Sequence, residues 1–130
     1  MPENDPIARW HEIVRAQDPD LIDDLLAESV VFRSPAVHTP QEGPQRTRAY
    51  LAAALVVLGP GLTYHREWRR PSSAVLEFTT TIAGTEVHGV DMIEWDDDQR
   101  ITEFTVMVRP VKGLQVLMEH MGAELARAAS

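Results

Sequence analysis

Thr85-Glu86-Val87-His88-Gly89-Val90-Asp91-Met92-Ile93-Glu94-Trp95 is followed by the charged turn Asp96-Asp97-Asp98-Gln99 and then by Arg100-Ile101-Thr102-Glu103-Phe104. Successive strand residues point to opposite faces, so alternation sorts this stretch. Val87, Gly89, Asp91, Ile93 and Trp95 share one face, and His88, Val90, Met92 and Glu94 share the other. In the next strand Phe104, Val106 and Val108 oppose Glu103, Thr105, Met107 and Arg109. The more apolar sets are expected to face a core, which leaves Asp91 as the one carboxylate on an inner face.

Working outward, Leu62 to Arg70, Ala74 to Ile82, Thr85 to Trp95 and Arg100 to Val111 read as four strands. The breaks Pro71-Ser72-Ser73, Ala83-Gly84 and Asp96 to Gln99 are short, so the strands are expected to pair antiparallel as a meander. Upstream, Asp5-Pro6 is a helix-start signal, and Ile7, Trp10, Ile13 and Val14 follow it at helical spacing. Asp18-Pro19 repeats the signal before Leu21, Ile22, Leu25 and Leu26, which predicts a second short helix. Val30-Val31-Phe32 reads as a short strand, 35 to 46 as an ordered loop, and Tyr50, Leu51, Ala54, Leu55 and Leu58 as an amphipathic helix stopped by Gly59-Pro60-Gly61. A last helix after Lys112-Gly113 carries Leu114, Leu117, Met118, Met121 and Leu125 on one face. Helices first and strands after predict an α+β fold, with helices on one face of a curved antiparallel sheet.

The 130 residues fit one domain, 1-130. There is no cysteine, which excludes disulfides, thiol nucleophiles and thiolate metal sites. A net charge of -8 repels phosphate backbones and anionic bilayers, so neither a nucleic acid nor a membrane is an expected partner. The start, Met1 to Asp5, lacks the basic and apolar regions of a secretory signal, and the longest apolar run, Ala49 to Leu58, falls far short of a membrane span. A cytoplasmic location is the expectation.

A carboxylate on an apolar face costs several kcal/mol unless it is paired or protonated, about that much from transfer considerations. Desolvation raises its pKa and keeps it partly neutral near pH 7. Such a group donates a hydrogen bond to a ligand oxygen or serves as an acid or base. The competing reading makes Asp91 a structural carboxylate that caps a helix or pairs with an arginine.

The five histidines, His11, His38, His65, His88 and His120, make no metal spacing, and no metal or cofactor is expected. His38 sits in the loop expected to roof a pocket, either as a proton carrier or ligand donor or as an exposed loop residue. Asp96-Asp97-Asp98 reads as a solvated turn without the alternating calcium pattern. Arg66, Arg69 and Arg70 are expected to pair with acids, with an anion site as the alternative. Met118 and Met121 either pack in the core or form a pliable lid. Val90, Met92 and Met107 on the outer sheet face predict a covering second chain, hence a homodimer through the sheet, against a solvated face with scattered apolar residues.

The strand–turn–strand from Gly89 to Phe104 resembles that of the nuclear transport factor 2 superfamily, which includes the SnoaL-like proteins and the bacterial ketosteroid isomerases. Phe32-Arg33-Ser34-Pro35 with Pro40 and Gly43, and Ile7-Ala8-Arg9-Trp10 to Asp18, match its first strand exit and first helix. The resemblance covers about residues 7 to 111 and implies the cone-shaped fold of that superfamily, with the last helix an extension. In the isomerases a protonated Asp on the fourth strand and a Tyr of the first helix form an oxyanion hole. The resemblance puts Asp91 at that Asp, Trp10 at the Tyr, and Ser34 at the position of the isomerase base. The limonene epoxide hydrolases of the same fold use an Asp–Arg–Asp set, of which only Asp91 is matched: Gly89 stands at the arginine and Val106 near the last acid. SnoaL-type cyclases rely on a pocket Asp helped by a His, and here His38 and His11 lie near in sequence.

Two functions follow as expectations. In the first, Trp10, Phe32, Ser34, His38, Phe104, Val106 and Val108 bind a small apolar carbonyl or hydroxyl compound, and Asp91 is the acid or base of an isomerisation, cyclisation or dehydration. In the second, the chain is a non-catalytic dimeric binding or scaffold module.

Overall fold

In the computed structural model, which describes residues 5–129, Asp5 caps the first helix as the sequence predicts. Its carboxylate accepts from the Ala8 amide at 2.8 Å, and Pro6 fills the first helical position of α1, Pro6–Ala16. Asp18 repeats the capping device, accepting from Asp20 N, but starts only a 3₁₀ turn, Pro19–Ile22. The expected second helix is therefore absent. Leu25 O accepts from Ile101 N, and the backbone from Leu26 onward is drawn into the sheet. Strand β1 runs Leu26–Arg33, longer than its apolar triplet, and a register shift between Leu26 and Val31 accommodates Glu28 and Ser29. The expected loop holds a two-residue strand, β2 (Gln41–Glu42), paired antiparallel to β1. Helix α2 (Pro44–Val57) follows, and Gly59–Gly61 makes a 3₁₀ turn.

The four long strands are β3 (Thr63–Arg70), β4 (Ser73–Ile82), β5 (Thr85–Trp95) and β6 (Ile101–Arg109). They form the expected meander, and the full order is β2-β1-β6-β5-β4-β3. The sheet is not wholly antiparallel. β1 lies parallel to β6, because the chain between them crosses to the far edge and returns through the meander. Pro110 ends β6 earlier than Val111, and helix α3 covers Val111–Ala129. Three helices on a curved, unclosed six-stranded mixed sheet make the α+β cone expected of the nuclear transport factor 2-like fold.

The alternation read from the sequence orders the core. Ile7, Trp10 and Ile13 of α1 and Leu51 and Leu55 of α2 pack against Leu76, Ile93, Trp95, Ile101 and Phe104. A smaller cluster of Ile82, Val87 and Leu117, with Val108 and Met121 against it, holds α3. Only Gly113 and Leu117 of α3 are buried, and Met118 is 45 % exposed, so of its two expected roles Met118 does not take the one in the core. No helix among the described residues is long and apolar enough to cross a membrane.

On the outer face, Glu77 accepts from Arg66 Nε and a terminal guanidinium nitrogen at 2.6 and 2.9 Å and pairs with His88 at 2.8 Å. These hydrogen bonds, Arg66 first and His88 second, hold its carboxyl well below the usual range, at about 2. Arg66 stands opposite Glu77 together with His65, because the β3–β4 register shifts between Tyr64 and Glu67. Two residues of β3 thus oppose one of β4, a bulge that leaves Tyr64 opposite Phe78 on the inner face.

Gly89 lets β5 and β6 close under the Phe78 ring. A Cβ there would lie 2.6 Å from Met107 O and 2.6 Å from Phe78 Cζ. Gly89→Ala is expected to lower the free energy of unfolding by about 1–3 kcal/mol, the usual range for overpacking. Urea denaturation reads this directly, and an unchanged midpoint would contradict the close approach.

Candidate functional site

β5 places Asp91 on the inner face between Leu76 of β4 and Val106 of β6, and the residue is 5 % exposed. Its partner is a phenol. Tyr64 Oη donates to Asp91 Oδ2 at 2.5 Å, and Trp10 Nε1 donates to Tyr64 Oη at 2.8 Å. The indole of α1, the phenol of β3 and the carboxyl of β5 thus form a chain in which each donor is used once. Among the described residues Asp91 has no other hydrogen bond and no guanidinium partner, which leaves Oδ1 free. Burial pushes its carboxyl up to about 7, against the smaller downward pull of the Tyr64 hydrogen bond. Burial first, and the Asp91 charge second, hold the Tyr64 phenol well above its ordinary value. Tyr64 is therefore a fixed hydrogen-bond donor near neutral pH, and Asp91 is the group that titrates.

The carboxyl lines a chamber of about 40 Å³ between α1, α2 and the sheet, together with Trp10, Phe32, Phe104, Val106 and Leu51. Ring packing sets its walls: Trp10 meets Phe104 edge-on at 5.1 Å between centroids, and Tyr64 meets Phe78 edge-on at 6.1 Å. A cavity of this size holds about one water molecule, whose share of liquid volume is roughly 30 Å³. A second cavity of about 190 Å³ lies between the 34–37 segment and α3, with Leu117, Met118, Met121 and Leu125 on its helix side. Phe32, Ala54, Leu58 and Val106 line both cavities.

Of the residues expected from sequence, Trp10, Phe32, Phe104 and Val106 meet Asp91 at the chamber. Ser34 lines the second cavity instead, where its hydroxyl accepts from Ala36 N at 3.1 Å. Val108 lies farther along β6, against the cluster that seats α3. His38 is exposed and lines neither cavity. His11 sits outside the chamber, its ring edge-on to Tyr64 at 5.0 Å and its Nε2 3.0 Å from Glu67. Tyr64 was not among the expected residues. Its signal was that of one bulky aromatic in a strand start otherwise made of Thr63, His65, Arg66 and Glu67. Asp91 is the single carboxyl of the chamber lining.

The SnoaL-like domain family matches residues 7–104, three quarters of the chain and all of the chamber apart from Val106. The chain belongs to the SnoaL-like domain family. A steroid delta-isomerase from Pseudomonas aeruginosa is similar at 40% identity and a TM-score of 0.91, covering 95% of this chain and 91% of that one. An uncharacterised bacterial protein with a cystatin-like fold, from Silicibacter pomeroyi DSS-3, is similar at 31% identity and a TM-score of 0.84, over 91% and 83% of the two chains. A limonene epoxide hydrolase-like enzyme from Mycobacterium tuberculosis shares the fold at 18% identity and a TM-score of 0.64, over 95% and 89%. No curated protein matches.

Tyr64→Phe removes the one hydrogen bond that pulls the Asp91 carboxyl down, so the carboxyl is expected to titrate above its present value of about 7. A ¹³C-NMR titration of the Asp91 side chain measures this. A downward shift would show that Tyr64 does not favour the ionised form.

Proposed function

We propose that this SnoaL-like protein binds a small apolar carbonyl or hydroxyl compound, and that Asp91 exchanges a proton with it in an isomerisation, cyclisation or dehydration. The reading is carried by one observation: a buried carboxyl balanced near neutrality, with one oxygen fixed by Tyr64 and the other free at an apolar chamber. With Oδ2 occupied, the neutral acid carries its proton on Oδ1 and donates it to a ligand oxygen. The ionised form accepts from a ligand hydroxyl or takes up a proton. Near pH 7 both forms are populated, which is where acid–base exchange is most effective. The similarity to a steroid delta-isomerase supports isomerisation as the reaction class. The two-carboxyl isomerase set is not repeated, since Ser34 stands where the resemblance puts the base.

Deuterium exchange at the carbons beside the carbonyl of butanone, followed by NMR in D₂O, tests the role without knowledge of the natural substrate. The protein is expected to accelerate exchange on the order of a hundredfold, the lower range of acid–base catalysis, and Asp91→Asn to abolish the gain. In this exchange the protonated Asp91 donates to the carbonyl oxygen while a solvent water takes the α-proton, and the resulting enol picks up deuterium from solvent. The donating form is lost as pH rises through about 7, so the acceleration should fall there. Unchanged exchange and unchanged butanone binding in Asp91→Asn would end this reading.

The second reading, a non-catalytic ligand-binding or scaffold module, is favoured by the small chamber of about 40 Å³ and its single carboxyl. Asp91-dependent butanone binding without any exchange would support it.

In either reading we propose a homodimer through the outer sheet face. Trp68 and Met107, 51 % and 55 % exposed, with Val75, Val90 and Met92 between them in the register, make an apolar stripe across β3 to β6. Sedimentation velocity is expected to give a dimer, and Met107→Lys to shift it toward monomer. A monomer at all concentrations would refute the pairing.

A further inference from the structure

We infer that the ligand is elongated and uncharged, with its polar head at Asp91 and a flexible aliphatic tail running into the cavity under α3. The inference rests on the proposed role of Asp91 in holding a carbonyl or hydroxyl. The head chamber, about 40 Å³, accommodates little more than the polar group itself. The rest of any ligand lies elsewhere, and two spaces adjoin the chamber: the second cavity of about 190 Å³, and an open polar cleft of about 450 Å³ at His11, Arg15 and Gln17 that shares Val14, Gly59, Leu62 and Tyr64 with it. The apolar lining of the second cavity suits an aliphatic tail, and the polar cleft does not. The chamber and the second cavity share Phe32, Ala54, Leu58 and Val106, so only these four apolar residues stand between them, and the ligand we infer passes among their side chains. Neither lining contains Lys, Arg or His, so nothing there would neutralise an anionic tail.

The shape of the tail follows from the same walls. Each cavity is below the roughly 300 Å³ at which drug-sized pockets begin, so a rigid fused-ring body fits neither. A chain that bends at every bond can thread among the four shared side chains. On the far side it meets Met118 and Met121, whose unbranched thioethers adapt to variable contours, and Leu125. Met118 is 45 % and Val37 38 % exposed, so a tail would reach solvent between α3 and the 34–37 segment.

Straight-chain methyl ketones of increasing length, from butanone to dodecanone, test the idea by titration calorimetry. Affinity is expected to rise about threefold to fourfold per added methylene, from the usual free energy of burying one, and then to level off when the second cavity is full. Ala54→Phe, which crowds that path, is expected to flatten the rise. Met121→Trp, which fills the far cavity, is expected to bring the plateau to shorter chains. Affinity independent of length, with butanone still bound in an Asp91-dependent way, would overturn the two-cavity ligand and leave the Asp91 reading standing. No Asp91-dependent binding at any length would remove both. Tighter binding of a fused-ring ketone, or of an alkylammonium ion with the same carbon count, would also overturn the inference.

Discussion

The relay from the Trp10 indole through the Tyr64 phenol to the Asp91 carboxyl joins a helix, an edge strand and a central strand at one buried point. A carboxyl in so apolar a shell must either find a cation or keep its proton, and this chain supplies no cation there. Tyr64 offers only a neutral donor, which lowers the ionisation penalty without cancelling it. Donation from Trp10 polarises the phenol and strengthens its bond to Asp91. Removing any one of the three leaves a buried polar partner exposed to an apolar wall, so the site and the packing of α1 on the sheet are maintained by the same contacts.

The sheet supplies the geometry for this. β5 is central, with β6 and β4 on either side, and Gly89 allows the neighbouring backbone and the Phe78 ring to close in two residues before Asp91. The parallel pairing of β1 with β6 brings Phe32 beside Phe104, and the two rings lie 6.0 Å apart at the chamber wall. The helices then divide the interior: α1 and α2 enclose the acid, and α3, anchored by few buried residues, bounds the looser cavity beside it.

Much of this was legible in the sequence, for a specific reason. β5 keeps strict period two with one face on the core, and β6 alternates in step with it from Phe104 onward, past the register shift that pairs Trp95 with Ile101, so Asp91, Phe104 and Val106 could be assigned to the inner face from spacing alone. The segment after Asp18 misled because its leucines fit a helix and a strand equally over so short a span. Only the pairing of Leu26 with Ile101, set by residues far away in sequence, decides between them. Val108 satisfied the alternation but lies too far along β6 to reach the acid, a distance that facing patterns do not encode. Ser34 and His38 were placed by likeness and loop position, and the path of the 34–40 segment carries them away from Asp91. Tyr64 was hidden because the bulge breaks the phase of β3, and alternation counted from the hairpin at Arg70 and Ser73 no longer applies beyond it.

That bulge has an evolutionary corollary. If β3 paired regularly with β4 all the way from the hairpin, His65 rather than Tyr64 would stand opposite Phe78. An imidazole would then replace a phenol as the neighbour of the buried acid, with no substitution anywhere in the interior. A descendant of this chain that straightened this single strand would exchange the acid's companion and, in the same step, take the Tyr64 ring off the core it packs against, so the local irregularity of one edge strand fixes both the chemistry and the packing of the interior.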